Sequence, residues 1–251
     1  MVAFALAIVT GIGVEFVQGL IGRDSSWRDV GTDALGAACA LGIIGWRGIP
    51  GLPSLRSRTG QGAALGIALL AAALLLAPII EATMAYARRA AEFPVIARFD
   101  SPLDLYFGHV QHAKSTRGPL PDQWARPGDG MSLRIESATE RWPGFVMDEP
   151  APDWRGRHYL NLDVTNPEVE SIQLTVRVHD VAHDQRHEDR FNRTVLLAPG
   201  RTTVTIPLAD IASGPAHRAL DLGQVAGIIV FADRTTLRSA RRYYLTSIWL
   251  E

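Results

Sequence analysis

One long apolar stretch limits what this chain can fold into. Residues 63–80 form a run of eighteen residues without a charged side chain, close to the roughly 20 needed to cross the hydrocarbon core of a bilayer. Residues 1–20 and 30–46 are also largely apolar. From about residue 95 onward the sequence changes to short apolar runs separated by turns. The pattern predicts about three transmembrane helices followed by an antiparallel β-sandwich.

The length of 251 residues suits two modest domains. We place a helical membrane region at residues 1–91, a linker at 92–98 and the sandwich at 99–251. The net charge is −1, which lacks the basic excess of a nucleic-acid-binding protein. The single cysteine, Cys39, excludes a disulfide framework and a cysteine-based metal site.

The orientation in a membrane follows from the arginines. The loop at residues 47–61 carries Arg47, Arg56 and Arg58 without an acid, so the positive-inside rule places it in the cytoplasm and the sandwich outside. Arg88 and Arg89 argue against this orientation. Residues 1–20 lack the basic start of a signal peptide, and we expect that earlier spans are missing from the chain.

A polar motif interrupts the apolar sequence near its start. Its members are Glu15, Gln18, Arg23, Ser26, Asp29 and Asp33. Glu15 and Gln18 have i,i+3 spacing and Asp29 and Asp33 have i,i+4 spacing, so each pair shares one helix face. Two interpretations remain open. The motif is either an ion-pair network that fixes two helices or a polar site at bilayer depth that holds a lipid headgroup or a lipid-linked sugar.

This motif resembles the pattern of the VanZ-like family. The matching positions are Glu15, Gln18, Arg23, Ser26, Asp29 and Gly36, while Asp33 stands where the family usually has Asn. The resemblance covers residues 3 to about 47, the later part of a four-span unit. It implies a multi-pass protein of the bacterial inner (cytoplasmic) membrane in contact with lipid, without implying a reaction.

The second half shows the period-two alternation of half-buried strands. Apolar residues alternate with polar ones at 160–164 and 172–178, and further apolar runs lie at 204–206, 228–231 and 244–250. Asn166-Pro167, Pro199-Gly200 and Ser213-Gly214-Pro215 mark turns between them. Short strands at such spacing predict an antiparallel jelly roll rather than βαβ units.

Three segments resemble the galactose-binding-like sandwich of carbohydrate-binding modules. They are DWRGRHYLNLDVTNP (153–167), LLAPGRTTVTIPLADI (196–211) and YYLTSIWLE (243–251). The resemblance implies a similar sandwich and, as partner, a glycan or lipid-linked glycan.

Histidines and acids cluster after the 172–178 strand. His179, His183 and His187 have the i, i+4, i+8 spacing that places zinc ligands on one helix face. His179 ends a strand, however, and the residues after it, with Asp180 among the acids, read as a loop. We therefore predict no metal site and no cofactor here, and leave calcium open as a structural ion.

Asp189, Arg190 and Asn192 are our candidates for binding sugar hydroxyls or a carboxylate, together with His179, Asp180 and His183. The alternative is an Asp189–Arg190 salt bridge that only holds the loop. Trp154 lies in a predicted turn, and we expect it to be an exposed aromatic platform for a sugar. Trp142 is interpreted as covering a sheet edge.

No catalytic motif is present: there is no Gly-x-Ser-x-Gly, Walker loop, zinc-protease helix or dinucleotide fingerprint. We predict a non-enzymatic, membrane-anchored envelope protein whose exported sandwich binds a glycan in polysaccharide or cell-wall metabolism. One alternative is a membrane enzyme acting on lipid-linked sugar with Glu15 or Asp29 as acid or base. The other is a scaffold whose sandwich binds envelope proteins.

Overall fold

A computed structural model describes residues 9–10, 27–47, 57–137, 142–232 and 242–251. The chain divides into two compact units, Met1–Thr83 and Met84–Glu251. Four members of the polar motif, Glu15, Gln18, Arg23 and Ser26, and nearly all of the first predicted span lie outside the described residues.

The described part of the first unit consists of α1 (Trp27–Arg47) and the greater part of α2 (Arg58–Glu92). The two helices approach closely at Gly42, where an added Cβ would lie 2.7 Å from the carbonyl oxygen of Ala64 and 2.8 Å from the Cβ of Ala68. Small residues therefore let the helix backbones pack together.

Among the described residues, α2 alone is long and apolar enough to cross a membrane by length and composition. The helix α1 covers the second predicted span, but it does not meet the same test. Asp29 and Asp33 and several glycines dilute its apolar character. The prediction of about three transmembrane helices is therefore too high for the part of the chain that the structure describes.

The second unit is built mainly of strands. They are β1 (Val95–Ala97), β2 (Gly108–Gln111), β3 (Ala113–Pro119), β4 (Met131–Ser137), β5 (Gly144–Met147), β6 (Tyr159–Asn166), β7 (Ile172–Asp180), β8 (Phe191–Leu197), β9 (Gly200–Pro207), β10 (Val225–Ala232) and β11 (Arg242–Leu250). Short helices are α3 (Leu208–Ala212) and 3₁₀ turns at Pro102–Leu105 and His187–Asp189.

These strands form two antiparallel sheets. The first sheet has the order β3-β4-β11-β6-β9, with β1 also paired to β11, and the second has the order β2-β5-β10-β7-β8. Chain neighbours from β4 to β7 alternate between the sheets, and the last strands, β10 and β11, lie inside their sheets. This wrapping is that of a jelly roll, and the predicted antiparallel sandwich is confirmed.

The predicted linker at 92–98 is not a linker. Glu92 ends α2, and residues 95–97 form β1, in which Ile96 and Ala97 are buried against the sandwich. Three residues are too few for an alternating pattern to be visible in the sequence.

The core lies between the two sheets and is made by the alternating side chains of both. Leu174, Val176 and Val178 of β7 point into it, as the alternation predicted. Phe99 packs edge-to-face on Phe145, with ring centroids 5.5 Å apart. The opposite side chains of β7 therefore lie on the outer face of the second sheet, where the candidate site is found.

Candidate functional site

The outer face of the second sheet carries rows of side chains set by the strand register. Residues paired across neighbouring strands project to the same face. One row, followed across the sheet, is Gln111, Gly144, Phe231, Thr175 and Thr194. In the next row Arg177 of β7 stands opposite Asn192 of β8.

A cavity of about 520 Å³ lies over these rows. Its lining residues are Gln111, His112, Trp142, Thr175, Arg177, His187, Arg190, Asn192, Thr194 and Phe231. The volume falls in the range of about 300–1,000 Å³ typical of small-molecule sites.

Trp142 forms one wall of the cavity. Its indole contacts the ring of Phe231 edge-on, with centroids 5.2 Å apart, and its side chain remains 45% exposed. The amide Nε2 of Gln111 donates a hydrogen bond of 3.3 Å to the backbone oxygen of Trp142. The arrangement presents an aromatic surface beside hydrogen-bonding groups.

Two arginines form the opposite part of the lining. The guanidinium of Arg177 lies 5.1 Å above the ring of Phe231, and its Nε donates to Oδ1 of Asn192 at 3.3 Å. Burial, with a smaller contribution from the charge of Arg190, lowers the pKa of Arg177 to about 10, so it stays protonated at neutral pH. Burial also lowers the pKa of Arg190, whose Nε is buried and has no hydrogen-bond partner in the part of the chain that the structure describes.

Other arginines of the sandwich have a different environment. Arg201 lies between Asp129 and Asp163, at 2.9 and 3.0 Å from their carboxylates. Arg218 lies between Asp180 and Asp189, at 2.7 and 3.0 Å.

Arg177 and Arg190, in contrast, form no salt bridge with any carboxylate of the described residues. Both side chains are among the residues that line the cavity.

The predicted ligand-binding residues divide into two groups. Arg190 and Asn192 line the cavity, as a binding role requires. Asp180 and Asp189 instead face Arg218, and neither is among the residues that line the cavity. The alternative Asp189–Arg190 salt bridge is not formed, because Arg218 occupies the position beside Asp189.

His179 and His183 lie next to this ion-pair cluster. The ring of His179 covers Gly227, where an added Cβ would lie 2.3 Å from its Cε1. Burial is the main cause that lowers the pKa of His179, followed by the nearby His183. The Nδ1 atom of His183 is 3.0 Å from the backbone oxygen of Asp189.

One group of potential metal ligands occurs here. Side-chain atoms of His183, Asp184 and Asp189 lie within 4.8 Å of one another. Because Arg218 already neutralises Asp189, a cation at this place would have to compete with the guanidinium. As predicted, the histidines do not share a helix: His179 lies in β7, one residue before its end, and His187 begins a 3₁₀ turn.

The position of Trp154 contradicts our prediction from the sequence. We predicted an exposed sugar platform, but its side chain is fully buried at 0% exposure, and its indole nitrogen donates to the backbone oxygen of Ala151 at 2.6 Å. The turn around Trp154 folds back onto the sandwich, so the indole fills core volume instead of facing solvent.

Several cavity residues were missed from the sequence. Arg177 and Thr175 occupy the polar positions of the alternating β7 pattern, which could have marked them as one face. Trp142 was interpreted as an edge cover, and its position beside Phe231 depends on the pairing of β5 with β10. That pairing cannot be read from local sequence.

Two members of the polar membrane motif lie within the described residues. Asp29 and Asp33 are exposed on α1. Asp29 lies in the first turn of the helix, where a carboxylate interacts favourably with the helix dipole. The other four members lie outside the described residues, so the proposed pairing of the motif stays a prediction.

No protein-family model matches the chain, VanZ-like models included. No curated protein matches it.

Structural neighbours of the sandwich include carbohydrate-binding modules and glycosidase domains. An exo-beta-agarase is 14% identical with a TM-score of 0.47, over 62% of this chain and 24% of the agarase. A family 11 carbohydrate-binding module from Clostridium thermocellum, in complex with a beta-1,3-1,4-mixed-linked tetrasaccharide, is 13% identical with a TM-score of 0.44, over 62% of this chain and 93% of the module.

A family 30 module from the same organism is 16% identical with a TM-score of 0.37, over 62% of this chain and 95% of the module. The chain thus spans about a quarter of the agarase's length. With TM-scores below 0.5, none of these likenesses transfers a ligand to this chain, and the functional argument rests on the cavity itself.

Proposed function

We propose that the sandwich is a glycan-binding module and that the cavity on the outer face of its second sheet is the binding site. The observation that carries the proposal is the cavity of about 520 Å³ in which exposed Trp142 stands beside Arg177, Asn192 and Gln111. A sugar ring has an apolar face that packs on an aromatic surface and a rim of hydroxyls that need hydrogen-bonding partners. No arrangement of catalytic groups is needed for this role.

The proposal extends to the location of the protein. Residues before Met84 hold the chain in the bacterial inner membrane, and the sandwich outside the cytoplasm binds glycan of the envelope. Support comes from the length and apolar composition of α2. The VanZ-like residues, among them Asp29 and Asp33, would contact the lipid or the lipid end of a linked glycan.

The aromatic wall gives the direct test of glycan binding. The full chain, purified in mild detergent, is titrated by calorimetry with neutral oligosaccharides (xylo- and cello-oligosaccharides) and acidic ones (oligogalacturonate). We expect at least one to bind, and Trp142→Ala to weaken that binding about tenfold, since loss of an aromatic contact of about 1.4 kcal/mol corresponds to that factor.

Tyr159→Ala is the matched control, because Tyr159 is an aromatic residue that is 42% exposed at the start of β6 in the other sheet. It should bind like the unaltered protein. The proposal fails if the folded chain binds no oligosaccharide, or if Trp142→Ala binds as tightly as Tyr159→Ala.

A further inference from the structure

We propose that the cavity selects an anionic saccharide, one whose sugars carry carboxylate or sulfate groups. This inference rests on the proposed glycan-binding function and names the class of glycan. It follows from the charge and hydrogen-bonding capacity of the lining.

Among the residues that the structure describes, the charged side chains of the lining have one sign. The ten lining residues include two arginines and two histidines, and none of the ten is acidic. The whole chain, in contrast, has a net charge of −1. The positive character therefore belongs to this face and does not reflect composition.

The two arginines give the lining a set of donors without matching acceptors. Oδ1 of Asn192 already accepts from Arg177, and the hydroxyls of Thr175 and Thr194 are hydrogen-bonded to each other at 2.9 Å. A guanidinium has only donors, and Nε of Arg190 is buried without a hydrogen-bond partner among the described residues. Such a surface matches a ligand that is rich in hydrogen-bond acceptors. Neutral sugar hydroxyls, in contrast, need both donors and acceptors on the protein.

Anionic oxygens are the acceptors that such guanidinium groups bind most strongly. A guanidinium presents parallel N–H groups that match the two oxygens of a carboxylate or sulfate. Arg177 and Arg190 are partly buried, and burial, followed by the charge of Arg190, lowers the pKa of Arg177. Elsewhere in the sandwich, aspartates supply the negative charge beside Arg201 and Arg218. In the cavity, the ligand would supply the negative charge.

The test compares a charged oligosaccharide with its own neutral form and with a sulfated oligosaccharide. Oligogalacturonate, its carboxyl-reduced neutral form and a sulfated galactan oligosaccharide are titrated into the full chain in detergent at low and high NaCl. We expect a charged form to bind at least about tenfold more tightly than the reduced form, and this preference to weaken with salt. The uronate and sulfate titrations show which anion the site prefers.

Two variants connect the preference to the cavity. Arg177→Gln and Arg190→Gln should each reduce affinity for the charged oligosaccharide about tenfold, a larger loss than for the neutral form. Arg186→Gln is the control, because it removes the same charge from an arginine paired with Asp184 outside the cavity. Circular dichroism and thermal unfolding confirm that each variant is folded.

The outcomes separate the two proposals. If the reduced oligosaccharide binds as tightly as the charged ones, the anionic preference is wrong and glycan binding stands. If no saccharide binds to folded protein, the proposed function fails and this inference with it. Equal, arginine-dependent binding of polyglutamate would also overturn the inference, because the site would then recognise charge without sugar.

Discussion

At the scale of single residues, Arg218 shows how the sandwich holds its buried charges. It donates to the carboxylates of Asp180, which is buried, and Asp189, and the backbone N–H of Asp221 also donates to Asp180. Hydrogen bonds from Arg218 hold the pKa of Asp189 well below its usual value. Burial raises the pKa of Asp180, but the hydrogen bonds outweigh it, and the net shift is downward.

The direction of these pKa shifts predicts how stability depends on pH. Both carboxylates titrate at 3.8 in the unfolded chain and at lower pH in the folded protein. Their stabilisation is fully present above pH 3.8 and is lost as the pH falls through the folded values, because the unfolded state then binds more protons. Urea unfolding between pH 2 and 7 should show a free energy of unfolding that rises with pH in the acid range.

Asp189→Asn is expected to be less stable at neutral pH and to lose part of that acid dependence. Asp210→Asn is its control, because Asp210 is exposed and lies 3.5 Å from Arg193 in a surface pair, which contributes little. An Asp189→Asn protein with the same acid slope as the unaltered protein would show that the Arg218 cluster does not govern the pH response.

Single residues also show what the sequence could and could not reveal about the site. The Asp189–Arg193 segment pointed to Arg190 and Asn192, because their side chains can bind sugar hydroxyls or a carboxylate. Trp154 was misjudged, since the sequence does not show that the backbone oxygen of Ala151 satisfies its indole within the core.

At the scale of elements, Gly144 controls the pairing beneath the cavity. It stands opposite Phe231 in the β5–β10 pair, and an added Cβ would lie 2.1 Å from the backbone oxygen of Val230. No real contact is that short, so Gly144→Ala must push β5 away from β10. The same shift would move Trp142, two residues earlier in the chain, relative to Phe231.

Gly144→Ala is expected to lower the free energy of unfolding by about 1–3 kcal/mol, the usual cost of overpacking, and to weaken oligosaccharide binding. Gly118→Ala in β3 is the control: nothing lies within 4 Å of its added Cβ, and it should stay within about 0.5 kcal/mol of the unaltered protein. Denaturant unfolding measures both. Equal stabilities would contradict a tight β5–β10 approach.

Strands could be predicted where one face is buried and the other is exposed to solvent. β7 has this alternation, and the predicted range 172–178 lies within the observed strand, Ile172–Asp180. β5 is buried at all four positions and β3 is largely exposed, so neither shows the period-two signal. The pairing of β5 with β10 places Trp142 at the cavity. Because β5 was not predicted, the aromatic wall of the site was not predicted either.

At the scale of the whole molecule, Arg88 and Arg89 bear on the orientation of the chain. As positive charges beside a predicted span, both argued by the positive-inside rule against a sandwich outside the cytoplasm. In the second unit, however, Arg88 pairs with Asp104 and Glu92. Arg89 donates to the backbone oxygen of Glu149 and lies over the ring of Phe107. Since both side chains have partners within the folded unit, their weight as orientation signals is reduced.

The proposed membrane anchoring predicts that the full chain stays in the membrane fraction after alkaline carbonate extraction. Leu70→Arg should increase its release, since an arginine at the centre of a span costs about 3 kcal/mol. Leu196→Arg is the control and should not increase release, because Leu196 is an exposed position of β8.

The proposed orientation predicts the result of reporter fusions in bacterial cells. Alkaline phosphatase, which is active only outside the cytoplasm, should be active when fused after Glu251 and inactive when fused after Arg47, because the arginines of the 47–61 loop favour the cytoplasmic side. An inactive Glu251 fusion of a stable protein would place the sandwich in the cytoplasm and remove envelope glycans as its ligands.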